Sequence, residues 1–367
     1  MKKSCLLSLL LLFCAVFAVS AEELRYEDAL QYRIINQCFQ GHTLTPYTRY
    51  AAELQDSVPD SFWHTGTNSA GLAVRFSTNS SAIGVRYNLR DNFHMMHMAD
   101  TGTKGADLYI LADDGRWHYV NTCRPISRDS VQDRVLVRHL DGRTHEFMLY
   151  LPLYDGINWM QIGVDSSAVI QKPQVDSPRS RKKIVFYGTS ILQGGCASRT
   201  GMVATSMIQR DLDVECCNMA ISGYGRMWMP VARALGREKD VLAYVLDPLP
   251  NCPRTMVDSI GYEWVRTFRT LNPDAAIIMV EIAPVPSSNY DTETHNSHLR
   301  INASWRAIYD RLVREGEKRI FFVTSDGLTA LDEEGTVDGN HLTDYGFRAY
   351  ADKLEPVLRR ALKKQLR

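Results

Sequence analysis

The hydrophobic pattern of this 367-residue chain changes period near residue 175, and that change limits the folds open to it. Before it, apolar and polar residues alternate. "GLAVRFST" puts Leu72, Val74 and Phe76 on one face, "IGVRYNL" does so with Ile83, Val85, Tyr87 and Leu89, and "EFMLYLPLY" with Phe147, Leu149, Leu151 and Leu153. Period two, broken by turn pairs such as Asp114-Gly115, predicts half-buried antiparallel strands. Many short strands in about 150 residues predict an all-β sandwich or jelly roll.

The stretch "QKPQVDSPRSRKK" follows, and its prolines and charges read as a linker. Beyond it, apolar runs at 183–188, 214–221, 241–247, 275–283 and 319–324 alternate with helical stretches near 202–212, 228–237, 255–271, 297–315 and 344–365. Strands that are apolar throughout, separated by helices, predict a parallel sheet covered on both faces. The expected organisation is a β domain over 22–175 and an α/β domain over 183–367. Working groups in such a sheet gather at the carboxyl ends of its strands.

The first residues stand apart from both domains. "MKK" is a basic start, "LLSLLLLFCAVFAV" an apolar run and "VSA" a small-residue end. This reads as a secretory signal peptide over 1–21, cut near Ala21, which makes the mature protein periplasmic or secreted. No other run is long enough to span a membrane. Lys+Arg and Asp+Glu both number 42, so nothing in the charge balance asks for nucleic acid as a partner. Six cysteines remain after the signal, Cys38, Cys123, Cys196, Cys216, Cys217 and Cys252, and an oxidising compartment would permit a disulfide among them.

The stretch "YGTSILQGG", Tyr187 to Gly195, sits at the end of the first apolar run of the α/β half. A phosphate-binding loop would need Gly-Lys-Ser/Thr after the right spacing. Here the spacing is off by one, and Gly195-Cys196 stands where Lys-Ser belongs. A nucleophile reading fits better, with Ser190 two residues past the strand end. A serine hydroxyl needs a base, and "VDGNHLTDYG" offers His341 with Asp338 three residues before it, ahead of an N-cap candidate, Thr343. Donors for an oxyanion are available at two other strand ends: Gly223 and Gly225 in "NMAISGYGRM", and Asn251 in "LDPLPN".

Taken together, "GTSILQGG", "ISGYG", "LPN" and "DGNH" resemble the blocks of the SGNH hydrolases, also called GDSL-type esterases. The resemblance implies a three-layer, flavodoxin-like hydrolase domain. It also implies Ser190 as nucleophile, His341 as base, Asp338 as its orienting acid, and an oxyanion hole made by Ser190, Gly223 and Asn251. Thr189 stands where many members have Asp. "SAGLAVRFSTNSS" and "HMADTGTKGADLYI" are similar to the N-terminal module of a branch found in Bacteroidetes. The expected activity is hydrolysis of small acyl esters, O-acetyl groups on carbohydrates first, with a small-molecule or polysaccharide substrate and no cofactor. A lipid or thioester acyl hydrolase and a non-catalytic carbohydrate-binding protein are the alternatives.

Three features carry structural readings beside functional ones. "HMMHM", His94 to Met98, has copper-type donors, but methionines also fill irregular interfaces well. No metal is expected there, and the segment reads as a loop packed on the hydrolase domain, walling its site. Trp63, Trp117 and Trp159 read as core rather than a sugar platform, and Asp247 and Glu281 as structural.

Overall fold

Every residue of Val241–Asp247 and Ala276–Val280 is buried, as expected of strands with helices on both faces. The computed structural model describes residues 23–126 and 128–366. The proposed signal peptide lies outside the described residues.

The α/β half is built on five parallel strands, numbered here within that half: β1 Arg179–Gly188, β2 Val214–Asn218, β3 Val241–Asp247, β4 Ala276–Val280 and β5 Ile320–Val323. Their order is β2-β1-β3-β4-β5. The order reverses at β1, so the crevice between the carboxyl ends of β1 and β3 is where such a sheet binds its ligands. Alternate residues of β1 serve opposite cores. Ile184 and Phe186 join Phe347, Tyr350 and Leu354 of the helix Asp344–Ala361. Val185 and Tyr187 join Trp264, Phe268 and Trp305 of the helices Arg254–Leu271 and Thr292–Arg314. Thr343 caps the last helix, accepting from the Gly346 N–H at 3.2 Å.

The first half contains two antiparallel sheets. One has the order Arg25–Asp28, Ile157–Val164, Ile83–Leu89, Val131–Val137. The other has the order Ile170–Gln171, Ala73–Thr78, His145–Tyr150, Ala106–Leu111, Trp117–Cys123, with Arg33–Ile35 also on Ala73–Thr78. Their inner residues, Val74, Phe76 and Leu149 from one and Val85, Tyr87 and Ile162 from the other, form a single apolar cluster. The alternation seen in the sequence is this shared face.

The stretch read as a linker is partly sheet. Ile170–Gln171 pairs with Ser77–Thr78, and β1 begins at Arg179 with a register shift before Lys183. The charges of "RSRKK" mask the start of a strand whose apolar run opens only at Ile184. All six cysteines of the described chain are free and buried.

The two halves do not sit apart. Ala70, Met98, Leu153 and Tyr154 belong to one core of the hydrolase sheet, and Tyr50, Leu54, Phe62 and Trp63 to the other. Between them Arg49, fully buried, donates to four backbone carbonyls: Thr65 at 2.8 Å and Asn68 at 2.9 Å on its own side, and Asn218 at 2.9 Å and Ala220 at 2.7 Å beyond β2. Burial pulls its pKa down to about 10, since no carboxylate offsets the lost hydration. Asp107, also buried, accepts from Arg199 at 2.7 Å and from the Gly201 N–H at 2.8 Å.

Candidate active site

β1 ends at Gly188, and Ser190 opens the short helix Ser190–Gln193 two residues later. As the first helical residue, Ser190 has an N–H with no partner inside the helix. The next strand end lies against it. Ile221 donates to the Gly188 carbonyl at 3.0 Å, and a Cβ on Gly225 would stand 1.8 Å from that same oxygen. Only glycine permits the approach at 225. Gln193 locks the arrangement from below: its Oε1 accepts from the Ser222 N–H at 2.8 Å, and its Nε2 donates to Leu153 O at 3.0 Å.

Asp338 and His341 lie on the turn after β5. Val337 N–H donates to His341 O at 2.8 Å and closes the turn. Asp338 Oδ1 accepts from the Asn340 N–H at 3.0 Å and the His341 N–H at 2.7 Å, the side-chain-to-backbone pattern that makes Asp a turn residue. Its other oxygen, Oδ2, meets His341 Nδ1 at 2.7 Å, and His341 Nε2 meets Ser190 Oγ at 2.9 Å. Burial of Asp338 opposes its charge. The ring N–H of His341 and the two backbone N–H groups outweigh that and hold the carboxyl at about 2. It is therefore ionised across the neutral range, with one oxygen fixing the turn and the other the imidazole. A series of this kind can accept a proton from the serine hydroxyl.

Gly223 lies at φ +70 in the loop between Ser222 and Gly225, and its N–H makes no hydrogen bond among the described residues. Asn251 ends the turn Leu249–Asn251 beyond β3. Its Oδ1 is buried without a partner among the described residues. A polar group left unpaired in this way is an exception among buried side chains. The fold thus carries Ser190, Gly223 and Asn251 on three adjacent strand ends, with Asp338 and His341 closing on Ser190 from the last turn.

The N-terminal half supplies two groups, Tyr154, which the sequence did not point to, and His97 of the loop that it did. Tyr154, buried, donates through its hydroxyl to Ser190 O at 3.3 Å. His97 brings its ring to 5.6 Å from that of His341, so the His94–Met98 loop does wall this site. A cavity of about 210 Å³ opens beside it, lined by His64, Asn68, Asp91, Phe93, Tyr154 and Ser222 among others. A larger hollow of about 610 Å³ near Phe39 and Lys183 is lined by none of these residues.

The remaining expectations divide. Trp63 and Trp117 are buried, the latter under the Arg75 guanidinium at 4.5 Å, and Trp159 is the exposed one; they lie in separate clusters and make no platform. Glu281 accepts from the Ser325 N–H at 2.7 Å and is structural. Asp247 is paired in register with Gly188, accepts from the Tyr350 hydroxyl at 2.7 Å, and leaves its other oxygen unpaired. Burial pushes its carboxyl up to about 8, so it carries a proton at neutral pH.

A flavodoxin-ordered sheet with a serine, histidine and aspartate in hydrogen-bonded series at its carboxyl edge is the arrangement of an SGNH-type hydrolase. Residues 181–359 match the GDSL-like lipase/acylhydrolase family, and residues 24–170 match the N-terminus of SGNH-hydrolase-type esterases. A GDSL-like lipase from Bacteroides ovatus is 31% identical, with 93% of this chain and 98% of that one covered and a TM-score of 0.86. The chain belongs to the GDSL-like lipase/acylhydrolase family, and as a member it is an ester hydrolase. Two more distant structures share its fold. The salicylyl-acyltransferase SsfX3 from a tetracycline biosynthetic pathway is 12% identical over 93% of this chain and 97% of that one, with a TM-score of 0.71. An acetyl xylan esterase, Est2A, from Butyrivibrio proteoclasticus is 12% identical over 93% and 99%, with a TM-score of 0.56. No curated protein matches the chain. Among the described residues no helix is long and apolar enough to cross a membrane.

Proposed function

We propose that the protein is an exported serine esterase that removes short acyl groups, O-acetyl first, from carbohydrates. The observation that carries this is the series Ser190 Oγ, His341 Nε2, His341 Nδ1, Asp338 Oδ2, with separations of 2.9 and 2.7 Å. Ser190 Oγ attacks the ester carbonyl carbon while His341 Nε2 takes its proton. The resulting imidazolium is stabilised by the Asp338 carboxylate. The carbonyl oxygen becomes an oxyanion within reach of the Ser190 and Gly223 N–H groups and the Asn251 amide. Collapse expels the alcohol, which receives the proton from His341 and leaves an acyl-Ser190. Water then loses a proton to His341, attacks the acyl carbon, and the carboxylic acid departs as Ser190 regains its hydrogen.

A small substrate is supported by the size of the adjoining cavity, about 210 Å³, below the roughly 300–1,000 Å³ of sites that enclose drug-sized ligands. Its mixed lining, with Phe93 beside His64, Asn68 and Asp91, suits a ring carrying hydroxyl groups. The acetyl xylan esterase of the same fold has such a substrate in its name.

The test is hydrolysis of 4-nitrophenyl acetate by the mature protein, alongside Ser190→Ala and His341→Ala, followed by acetate release from a panel of acetylated glycans. Equal rates in all three proteins would end the serine-esterase reading. Faster cleavage of octanoyl than acetyl esters would replace the carbohydrate substrate with a lipid or thioester.

A further inference from the structure

Among the described residues, one group of histidine, cysteine and acidic side chains has ligand atoms all within 4.8 Å of one another: His97, Cys196, Asp338 and His341. The four come from three separate segments. His97 belongs to the His94–Met98 loop of the N-terminal half, Cys196 follows the helix that begins at Ser190, and Asp338 and His341 share the turn after β5. The "HMMHM" loop has imidazole and thioether donors of its own, and folding brings a thiol and a carboxylate to His97.

Cys196 has no part in the acyl-transfer chemistry. It is buried, sits at φ +73 in a left-handed conformation that few non-glycine residues adopt, and feels the negative charge of Asp338. Two imidazoles, a thiol and a carboxylate make a mixed N, S, O donor set, the kind that holds zinc.

We infer that His97, Cys196, Asp338 and His341 form a zinc site whose occupation switches the esterase off. Zinc bonds of about 2.0–2.3 Å place tetrahedral ligand atoms roughly 3.3–3.8 Å apart. The widest separations here must contract by about an ångström to meet that geometry. The Asp338–His341 contact at 2.7 Å must open by about half that. Ligation converts the Cys196 thiol to a thiolate, and its proton leaves to solvent. One thiolate and one carboxylate then neutralise the dication, with two neutral imidazoles completing the set.

The effect on chemistry follows from which lone pairs are used. Bound through Nε2, the metal replaces the His341 contact with Ser190 Oγ. Bound through Nδ1, it replaces the contact with Asp338. Either way His341 no longer serves as the base for Ser190. Metal binding stands on the ligand geometry alone, whereas its effect on turnover rests on the serine-esterase reading. The experiment therefore has readouts of both kinds.

Mature protein is dialysed against zinc and assayed for bound metal, and against cobalt and examined by absorption spectroscopy. Esterase activity is titrated with zinc and then with a chelator. Cys196→Ala is treated identically and referred to its own metal-free rate. The expected results are one zinc per chain, a thiolate-to-cobalt charge-transfer band, and inhibition that the chelator reverses. Cys196→Ala should lose the band and need at least about tenfold more zinc for half-inhibition, the scale on which metal sites respond to losing a supporting group. Absence of retained zinc, absence of the band in the unaltered protein, or equal zinc sensitivity in Cys196→Ala overturns the site. Zinc bound with the band present but activity undiminished overturns the switch. If the chelated protein hydrolyses no ester, the esterase reading fails, while dialysis and the cobalt spectrum still decide the site.

Discussion

Gly195 is where one methyl group should reach the chemistry without touching a reacting atom. A Cβ built there would lie 2.8 Å from His341 Cδ2, 3.0 Å from the Tyr154 hydroxyl and 3.2 Å from Ser190 O. Ordinary contact begins near 3.4 Å, so Gly195→Ala forces the imidazole back by about 0.6 Å, the difference from 2.8 Å. Taken up along the line to Ser190, this stretches the 2.9 Å contact to about 3.5 Å, past useful hydrogen-bond length. Displacements near 1 Å at a reacting centre cost about a hundredfold. The expected loss is therefore roughly ten- to a hundredfold in kcat, or about 1.4–2.7 kcal/mol of barrier. KM should change less than kcat, since the methyl presses hardest on the base and meets the cavity only through the Tyr154 hydroxyl. The assay is steady-state hydrolysis of 4-nitrophenyl acetate, with thermal unfolding alongside to show that the fold persists. Adding Tyr154→Phe relieves the 3.0 Å contact but not the one to His341, so the double variant should stay slow. A Gly195→Ala protein with kcat within about twofold of the parent would refute the reasoning, because the displaced base would then still serve Ser190.

Asn251→Ala removes one oxyanion donor and should lower kcat by about 10²–10³ with a smaller change in KM; a loss under about twofold takes Asn251 out of that role. Asp247→Asn keeps an acceptor for the Tyr350 hydroxyl but does not ionise. The native carboxyl, raised to about 8, stabilises the fold fully below its unfolded value near 3.8, and that contribution is lost as pH rises towards and through 8. The melting temperature of Asp247→Asn relative to the parent should therefore climb across that interval, and a pH-independent difference would contradict it. Arg49→Met takes a donor from three buried carbonyls and from the half-buried one of Thr65, and should cost on the order of 3 kcal/mol or more in thermal or denaturant unfolding, with kcat falling as the loop carrying Gly223 loosens.

Much of the α/β half was legible in the sequence because its strands are buried on both faces. Runs such as Val241–Asp247 have no polar face to blur them, and turn residues mark each end. Ser190, Gly223, Asn251, Asp338 and His341 could be picked out because they follow strand ends, in blocks with their own local pattern. The start of β1 was not legible, since Arg179 to Lys183 carry charges that read as a linker. Of the share that the other half contributes, only the walling His94–Met98 loop was legible. Arg49 and Tyr154 reach their partners only when two domains pack, and no periodicity within either segment encodes that meeting. Asp247 reads as structural from its place in the sequence, but its retained proton follows from complete burial, which composition does not reveal.

Arg49 has a consequence for how this chain can be cut and how its lineage can vary. Its four bonds are divided between the halves, and both cores of the hydrolase sheet include side chains from residues before 155. The covalent connection is the least of what joins them. A protease nick at the exposed stretch Gln174 to Asp176 should yield two polypeptides that still migrate as one particle and still turn over ester. By the same logic, exchanging the N-terminal module with a relative's would change the active-site wall and the scaffold beneath Gly223 at once.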